Sequence, residues 1–415
     1  MLAVVGGLWR AGAQEATLET LRLLKKRDAD VRVLICRTAD RGILSEIQEL
    51  GITVLETACE RVANYPNLEV EKYSELIRSS DLVWITDAEY LAAPRIKRIK
   101  KSIPVIAHLH SYRLACPTTT AFYGTGECTI NCAHSFRRYR QCKRLLHQYP
   151  ASWNIMATRM NLNQLLNFPK SFLDFNTWPM GERIVESVDG FVAVSRYTRD
   201  LMRTHLPQLN GIPIEAIPNP VMVPEPDCTW KDRQSDHEIG ILYASGPSIL
   251  KGAHLALYAV RNLVDEGSKD FMLTMSGARW EHDDWIKTLV KRLKIEGHVR
   301  LLGRVPSRAQ LSAFMVKSTV VLMPSVLPEP FGRIPVEANL LGTPAVVSNR
   351  GGLPDTIVDQ VTGLVTEPTV EAVAGALGQA LRADWDRESI SRIARERFDP
   401  ERTVEKFMHF LETFI

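Results

Sequence analysis

Short apolar runs alternate with amphipathic segments along most of the chain. In the first half, strand-length runs rich in Val, Ile and Leu are separated by segments such as Glu15–Lys26 and Gly42–Leu50, whose apolar residues recur at helical spacing. That alternation predicts parallel strands joined by crossover helices. The predicted strands of this half are Leu2–Val5, Val31–Cys36, Ile52–Leu55, Leu82–Thr86, Val105–His108 and Gly190–Val194.

A second series of the same kind follows a proline-rich segment. Residues 211–226 contain five prolines, which predicts a linker because proline interrupts helices and interior strands. We therefore expect an α/β chain with two Rossmann-like, doubly wound parallel-sheet domains facing a cleft, in residues 1–215 and 216–395. A final helix within 396–415 has phenylalanines on one face and is expected to pack back on the first domain. The predicted strands of the second half are Ile239–Ala244, Phe271–Ser276, Val299–Leu302, Thr319–Met323 and Ala345–Ser348.

The composition sets the broad class of protein. With 415 residues, 45% of them hydrophobic, the chain can form two or three domains with sizeable cores. Its 51 Lys and Arg against 48 Asp and Glu give a net charge of +3, which argues against nucleic acid as a partner. No apolar run reaches the ~20 residues that span a bilayer. Met1–Val5 reads as a strand and not as a signal peptide, and an odd count of seven cysteines then favours the cytoplasm.

Two carboxylates flank a turn rich in proline and glycine in the second half. Glu329 and Glu337 follow the predicted strand Thr319–Met323 and lie around the start of a helical run, Pro335–Leu341. In an open α/β sheet, such a junction presents backbone N–H groups to an anionic ligand. A carboxylate at this place would repel phosphate, so the pattern favours a role in binding sugar hydroxyls. A helix cap or a surface salt bridge is the structural alternative for each glutamate.

The residues of this turn resemble the signature of a known family. The run from Glu329-Pro330-Phe331-Gly332 to Glu337-Ala338 is similar to that of glycosyltransferase family 4, whose members are retaining enzymes with two Rossmann-like domains, the GT-B fold. The order and spacing of three further runs are also similar, which makes the match much more specific than any four-residue motif. These runs are Gly342–Ser348, Gly351–Asp355 and Gly363–Val365.

The resemblance implies a role for each residue of the turn. Glu337 is expected to accept hydrogen bonds from the ribose hydroxyls of a nucleotide sugar, and Glu329 to lie near the transferred sugar or the reacting phosphate. The N–H groups around Phe331 and Gly332, with Lys251, would stabilise the negative charge of the leaving diphosphate. The front-face route expected for a retaining enzyme needs no covalent nucleophile and no obligatory cofactor or metal.

A loop after the first strand of the second half is a further candidate for binding phosphate. Gly246 lies in this loop, and Lys251 precedes Gly252 at the predicted start of a helix, where an ammonium and N–H dipoles would act together on a diphosphate. A solvated lysine beside a helix cap is the alternative. Family members usually carry Gly-Arg before the Lys-Gly pair, whereas Ala244 and Ser245 stand there in this chain. Two arginines are candidates to replace the missing one, Arg304 and Arg333.

Candidate residues of the first half include a histidine and a glycine. His110 follows the strand Val105–His108 in a segment that resembles the family's His-Asp and Cys-Pro region, which implies contact with the donor sugar or the acceptor. Ser111 replaces the acidic residue, and His108 is the competing histidine on the same strand face. Gly12 begins a segment similar to the family's Gly-Gly-x-Glu-Arg loop and would let the backbone approach the donor.

An insertion expected at about 112–180 is rich in cysteine and basic residues. Its cysteines suit a structural zinc or iron–sulfur site, although no C-x2-C pair occurs, and reduced thiols or one disulfide are the alternatives. Five cations lie within Arg137–Arg144, ahead of an apolar stretch, which suits either an anionic membrane surface or a solvated helix face. The four cysteines are Cys116, Cys128, Cys132 and Cys142.

The sequence therefore predicts a retaining glycosyltransferase that uses a UDP- or GDP-type sugar donor. The expected acceptor is a hydroxyl of a glycan or lipid-linked sugar in cell-surface glycan synthesis, so the enzyme would be cytoplasmic or peripheral at the inner face of the membrane. Two alternatives share the architecture. One is a sugar-nucleotide epimerase, which would lack the Glu329–Glu337 signature, and the other is a non-catalytic scaffold that binds sugar nucleotides.

Overall fold

A computed structural model gives the fold of most of the chain. The described residues are 1–7, 12–35, 41–57, 59–62, 65–86, 89–116, 122–123, 126–127, 183–224, 226, 240–268, 270–277 and 284–415. Cys128, Cys132, Cys142 and the segment 137–144 lie outside them, so the predicted metal site and membrane-binding segment remain predictions.

The first domain is built on a parallel sheet. Among the described residues this sheet has seven strands in the order β11-β10-β7-β6-β1-β2-β3, and each neighbouring pair is parallel. Two short antiparallel pairs, β4 with β5 and β8 with β9, lie outside it. The strands are β1 (Leu2–Val5), β2 (Arg32–Ile35), β3 (Thr53–Glu56), β4 (Cys59–Val62), β5 (Tyr65–Leu68), β6 (Val83–Thr86), β7 (Val105–Leu109), β8 (Phe122–Tyr123), β9 (Gly126–Glu127), β10 (Gly190–Ala193) and β11 (Ile214–Ala216).

Alternate side chains of the central strand enter two different cores. Leu2 and Val4 of β1 pack in one apolar cluster, whereas Ala3 and Val5 pack in another on the opposite face of the sheet. Helices cover both faces, as a doubly wound sheet requires. The helices of this domain within the described residues are α1 (Gly12–Lys26), α2 (Arg41–Glu49), α3 (Ser74–Arg78), α4 (Ala92–Ile99) and α5 (Arg196–His205).

The second domain repeats this architecture. In the part of the chain that is described, its sheet has six parallel strands in the order β14-β13-β12-β15-β16-β17. These strands are β12 (Ile241–Tyr243), β13 (Leu273–Ser276), β14 (Val299–Gly303), β15 (Val320–Met323), β16 (Ala345–Ser348) and β17 (Gly363–Thr366). Its helices, together with the last helix of the chain, are α6 (Ala253–Asp265), α7 (Asp284–Leu293), α8 (Arg308–Lys317), α9 (Arg333–Leu340), α10 (Val370–Arg382), α11 (Arg387–Arg397) and α12 (Pro400–Glu412).

The final helix returns to the first domain, as the sequence predicts. Val404, Phe407, Phe410 and Leu411 of α12 are buried in the same cluster as Trp84 of β6. The two-sheet α/β fold is confirmed. Within the described residues, none of the helices combines the length and the apolarity needed to cross a membrane.

Two strands of the main sheets were not predicted as strands. Both β11 and β17 lie at the ends of the sheet orders formed by the described residues, as do β3 and β14, which were predicted. β11 has three residues, of which only Ile214 is buried, and it lies in the proline-rich segment, so its apolar pattern is weak. Because β11 extends to Ala216, the first sheet ends one residue beyond the predicted boundary at 215.

Candidate functional site

The loop between β15 and α9 holds Glu329 against Lys251. The Lys251 ammonium forms an ion pair with the Glu329 carboxylate, which is 7% exposed, and the Ser325 hydroxyl donates to Glu329 Oε1 at 2.8 Å. Gly252, which caps the N-terminus of α6, has φ 80°. A Cβ at this residue would lie 2.0 Å from the Pro324 carbonyl oxygen, so glycine is required for the loop to approach α6.

The Gly351-Gly352 segment packs directly on the backbone of this loop. Gly352 N–H donates to the Glu329 carbonyl at 2.6 Å, and a Cβ at Gly351 would lie 2.3 Å from the same oxygen. The first domain reaches the loop as well, because the Thr198 hydroxyl donates to the Pro330 carbonyl at 3.1 Å. The Glu329–Gly332 turn and the Gly351-Gly352 segment therefore pack on each other where the first domain contacts the second.

The second predicted carboxylate, Glu337, lies in a network of ion pairs. Arg333, one turn earlier in α9, donates to Glu337 Oε1 through Nε at 3.3 Å and Nη2 at 3.2 Å. Arg308 of α8 donates to the same oxygen at 3.2 Å. Glu337 is 7% exposed, so its charge is compensated mainly by these two guanidinium groups.

The network continues into the first domain through two glutamates of α1. Arg333 binds Glu19 with two hydrogen bonds, Nη1 to Oε2 at 2.7 Å and Nη2 to Oε1 at 3.0 Å. Arg308 Nη1 donates to Glu15 at 2.7 Å and to Glu19 at 3.0 Å. We call these five side chains the interdomain network: Glu15, Glu19, Arg308, Arg333 and Glu337.

Arg333 has no donor left for a phosphate in this arrangement. A guanidinium has five N–H groups, and those of Arg333 go to Glu337, Glu19 and the Pro220 carbonyl, the last at 3.2 Å. Burial alone would lower the pKa of Arg333, but the carboxylates of Glu337 and Glu19 outweigh it and raise that pKa. Arg333 therefore stays charged, and its role in place of the arginine missing at Ser245 stays a prediction.

The two candidate histidines form a buried pair of tilted rings at the end of β7. The ring centroids of His108 and His110 are 4.1 Å apart, and His108 also stacks on Phe407 of α12 at 5.8 Å. Burial, together with the positive charge of Arg333, lowers the pKa of His110 to about 3. Burial also lowers the pKa of His108, and His110 lowers it further. Both rings are neutral at pH 7.

Four of the predicted residues meet at Arg333. Its side chain bonds Glu337, its charge acts on His110, and its Cδ lies 3.8 Å from the position that a Cβ would take at Gly12. Gly12 is the first residue of α1, so the Gly-Gly-x-Glu-Arg-like segment is the first turn of a helix and not a loop. The first domain thus contributes Gly12 and His110 to the surroundings of Glu337.

Other predicted residues lie elsewhere. Arg304 lines a cavity of about 350 Å³ with Leu302, Phe314 and Lys317, and no ion pair joins it to the interdomain network among the described residues. The Phe331 side chain is 4% exposed and packs edge-on to Phe398, 6.0 Å between centroids, so only its backbone can face a ligand.

The remaining predicted residues concern the second-domain loops and the metal site. Gly246, which has φ 75°, packs against Gly277, where an added Cβ would lie 2.3 Å from the Gly246 Cα. Of the four cysteines, Cys116 lies within the described residues, and it packs against the first-domain core. The described residues contain no group of three or more His, Cys, Asp or Glu side chains able to hold a metal ion.

Sequence reasoning missed four side chains of the site. Ser325, Glu19 and Arg308 belong to no motif of the sequence analysis, and Glu15 lies in the Gly12 segment but had no role assigned to it. A signal was present in α1, because Glu15 and Glu19 are four residues apart, on the same face of a helix whose residues are largely buried. An acidic pair on a buried helical face requires cationic partners from another element.

Comparisons with known proteins agree with this architecture. A family profile described as Glycosyltransferase Family 4 matches residues 10–223, and one described as Glycosyl transferases group 1 matches residues 230–397. The glycosyltransferase YtcC of Bacillus subtilis is 25% identical over 210 residues, which are 46% of this chain and 50% of that protein. The D-inositol 3-phosphate glycosyltransferase of Corynebacterium urealyticum is 31% identical over 169 residues, 38% of this chain and 39% of that one.

Solved structures share the fold of the described residues. The crystal structure of HepE from Anabaena with UDP has a TM-score of 0.68 at 17% identity and covers 99% of both chains. HepE is also known with UDP-glucose, at a TM-score of 0.64. The curated relatives above are matched over half of their length or less. With a GT-B fold and a family profile that spans more than half of its residues, the chain belongs to glycosyltransferase family 4.

Proposed function

We propose that this protein transfers a sugar from a UDP- or GDP-linked donor to a hydroxyl of a glycan or lipid-linked acceptor, with retention at the sugar carbon. One observation carries the proposal: two buried carboxylates, Glu329 and Glu337, stand on one strand–loop–helix turn where the domains meet, and each is held by cations. Family membership supports it, as do the UDP and UDP-glucose complexes of HepE, which has the same fold.

The proposed donor position follows from charge and backbone direction. The N-termini of α6 and α9 lie on either side of the Lys251–Glu329 pair, and helix N-termini favour anions such as a diphosphate. The ribose would then lie toward Glu337, whose carboxylate accepts hydroxyl hydrogen bonds. The transferred sugar would lie by Glu329.

The transfer itself needs charge stabilisation more than a nucleophile. The bond between the sugar carbon and the diphosphate oxygen breaks, and its electron pair remains on that oxygen. The acceptor oxygen forms the new bond on the same face of the sugar, and its proton passes to the departing phosphate oxygen. Lys251 and the backbone N–H groups of the Gly332 turn would stabilise the developing negative charge.

Neutral His110 can take part as a hydrogen-bonding group. With a pKa of about 3, His110 is not in its protonated, cationic form at pH 7 and therefore cannot act as a general acid. One of its ring nitrogens can still donate to a sugar hydroxyl while the other accepts. We therefore assign His110 to orienting the donor sugar or the acceptor.

Two measurements test the proposal. Thermal unfolding with UDP, GDP or ADP should show a rise in Tm for the nucleotide that belongs to the donor, because binding to the folded state alone stabilises it. Incubation of the sugar nucleotide with water should then release the nucleoside diphosphate slowly and the sugar with retained anomeric configuration.

The other outcomes point to the other classes. Interconversion of the donor sugar without release of nucleotide would indicate an epimerase. A rise in Tm without turnover, with an acceptor mixture present, would indicate a scaffold. Inverted configuration in the released sugar would contradict the retaining mechanism.

A further inference from the structure

The two oxygens of Glu337 are used unequally. Oε1 accepts three hydrogen bonds, from Nε and Nη2 of Arg333 and from Nη2 of Arg308. Among the described residues, Oε2 accepts none. A carboxylate oxygen whose partner oxygen is fixed in this way is preorganised to accept a hydroxyl, since the side chain no longer has to be immobilised on binding.

Glu19 is what keeps Arg333 on one edge of that carboxylate. Glu19 is fully buried, with 0% exposure, so it cannot itself touch a ligand. It accepts two N–H groups of Arg333, one of Arg308 and the backbone N–H of Met222 at 3.2 Å. Two of the five Arg333 donors are thereby directed away from Glu337.

We propose that Glu19, on the first helix of the opposite domain, is a positioning residue for the donor ribose: by holding Arg333 and Arg308 it leaves Glu337 Oε2 available to the ribose hydroxyls. The inference rests on the proposed function and deepens it. Without the Glu19 charge, Arg333 would turn the guanidinium edge that Glu19 now holds onto Glu337 and bind both carboxylate oxygens in the two-point geometry that guanidinium and carboxylate prefer. The ribose would then compete with Arg333 for Oε2.

The same contacts tie the domain linker to the donor site. Arg308 Nη2 donates to the Met222 carbonyl at 2.6 Å, and Arg333 donates to that of Pro220. The linker, α1 of the first domain, and α8 and α9 of the second therefore share one set of hydrogen bonds. Ribose affinity is set by a residue that the ribose does not contact.

The test compares a nucleotide with its form that lacks ribose hydroxyls. Calorimetric titration of the full chain with UDP, GDP and ADP identifies the nucleotide that binds, and titration with its 2′,3′-dideoxy form follows. Glu19→Gln keeps the shape of the side chain but removes its charge. We expect this substitution to lower the affinity for the complete nucleotide about tenfold, the equivalent of one charge-assisted hydrogen bond. The affinity for the dideoxy nucleotide should not change.

Arg308→Gln is a second variant that keeps the inference testable if the first does not fold. The Arg308 side chain is 26% exposed, so its loss disturbs the core less. Arg308→Gln removes one of the three donors to Glu337 Oε1. We expect it to lower the affinity for the complete nucleotide and to leave the affinity for the dideoxy nucleotide unchanged. In a Glu337→Gln background, neither substitution should weaken binding further, because the arginines hold the single amide oxygen and an NH2 group, which cannot accept, replaces Oε2.

Glu401→Gln is the matched control. Glu401 of α12 pairs with Lys26 at the other end of α1, at 2.5 Å, with its side chain 38% exposed. It joins the same helix to another element but lies outside the interdomain network, so nucleotide affinity should not change.

Three results would overturn the inference, and one of them also removes the proposed function. If Glu19→Gln lowers the affinity for the complete and the dideoxy nucleotide equally, Glu19 has a general structural role and does not position the ribose. Full additivity with Glu337→Gln would show that Glu19 does not act through Glu337. If the wild-type protein binds none of the three nucleotides, the proposed function fails and the inference fails with it.

Discussion

At the scale of single residues, burial decides which groups of the site carry charge. Glu329, Glu337 and Arg333 are buried yet lie within salt-bridge distance of opposite charges. His108 and His110 are buried, and no opposite charge pairs with either of them among the described residues, so their neutral forms are favoured. The site therefore combines fixed charges, which can stabilise a charged transition state, with neutral imidazoles, which can only exchange hydrogen bonds.

The Glu329→Gln variant should affect turnover more than binding. The amide keeps the size of the side chain but removes the charge that faces Lys251. On the proposed function this changes the stabilisation of the reacting groups and leaves the proposed contacts between Glu337 and the ribose in place. We expect kcat to fall about 100-fold with little change in KM for the donor, as measured by steady-state kinetics. Equal changes in kcat and in donor affinity would contradict the separate roles of Glu329 and Glu337.

The histidine pair predicts a loss of stability in acid. In the unfolded chain the pKa of His110 returns to about 6.5, whereas in the fold it is about 3, so the unfolded state binds more protons between these values. The contribution of this histidine to the free energy of unfolding should have its full value above pH 6.5. Below that pH the free energy of unfolding should decrease by about 1.4 kcal/mol per pH unit for this histidine. Denaturant titrations between pH 7 and pH 4 measure the slope.

A variant isolates the contribution of His110. His110→Gln removes the titrating group, so its slope with pH should be smaller than that of the wild type. His409→Asn is the control, because the His409 side chain is 83% exposed and its loss should leave the slope unchanged. If the His110→Gln and wild-type slopes are equal, the imidazole is already accessible to protons in the folded state.

At the scale of elements, the site depends on backbones that pack without side chains between them. Gly252 allows the loop after β15 to approach α6, and Gly351 allows the segment after β16 to approach Glu329. Both have positive φ, 80° and 61°. The two loops that carry Lys251 and Glu329 thus reach hydrogen-bonding distance of each other because glycine stands at each crossing.

Substitution of Gly351 should therefore damage the site. Gly351→Ala places a Cβ 2.3 Å from the Glu329 carbonyl oxygen at a φ of 61°, so the loop must move. We expect a loss of roughly 1–3 kcal/mol in the free energy of unfolding, together with weaker nucleotide binding. Denaturant titration and calorimetry measure the two effects.

Gly375→Ala is the matched control for this substitution. Gly375 lies within α10, and a Cβ there would meet no atom within 4 Å. Alanine should stabilise the helix by about 0.5–1 kcal/mol and leave nucleotide binding unchanged. Similar losses for Gly351→Ala and Gly375→Ala would refute the packing argument.

At the scale of the whole molecule, the last helix joins the core of the first domain to the end of the second. Phe407 of α12 packs on Trp84 at 5.1 Å and on His108 at 5.8 Å, and it is 2% exposed. Phe331, on the loop of the site, packs with Phe398 just before α12. Apolar contacts thus link the C-terminal segment to both the histidine pair and the Glu329 loop.

Phe407→Ala should destabilise the protein by about 3–5 kcal/mol, the range for removing a buried aromatic ring. The His108 ring would lose its stacking partner, so activity at temperatures well below unfolding should also decrease. Ile415→Ala near the same end is the control, because Ile415 is 77% exposed and its loss should change stability by less than about 0.5 kcal/mol. A small effect of Phe407→Ala would show that α12 contributes little to the first-domain core.

The sequence by itself determined the elements and the family. Eleven strands of the two main sheets were predicted from apolar runs, including β3 and β14 at the ends of the described sheet orders. The two that were missed, β11 and β17, are short strands that are only partly buried. The motif from Glu329 to Glu337 was readable because its residues are consecutive. The phosphate role suggested for Arg333 stays a prediction, and the sequence could not show that its five donors have partners in Glu337, Glu19 and the Pro220 carbonyl.

Only the tertiary structure decided which charges meet. Glu19 and Arg333 are 314 residues apart in the chain, and their contact exists because α1 and α9 begin at the facing ends of two sheets. The pairing of Lys251 with Glu329 and the stacking of Phe407 on His108 arise in the same way. Local sequence fixes a helix or strand through its own hydrogen bonds and its apolar face, but a long-range ion pair depends on how the domains pack, which no local pattern encodes.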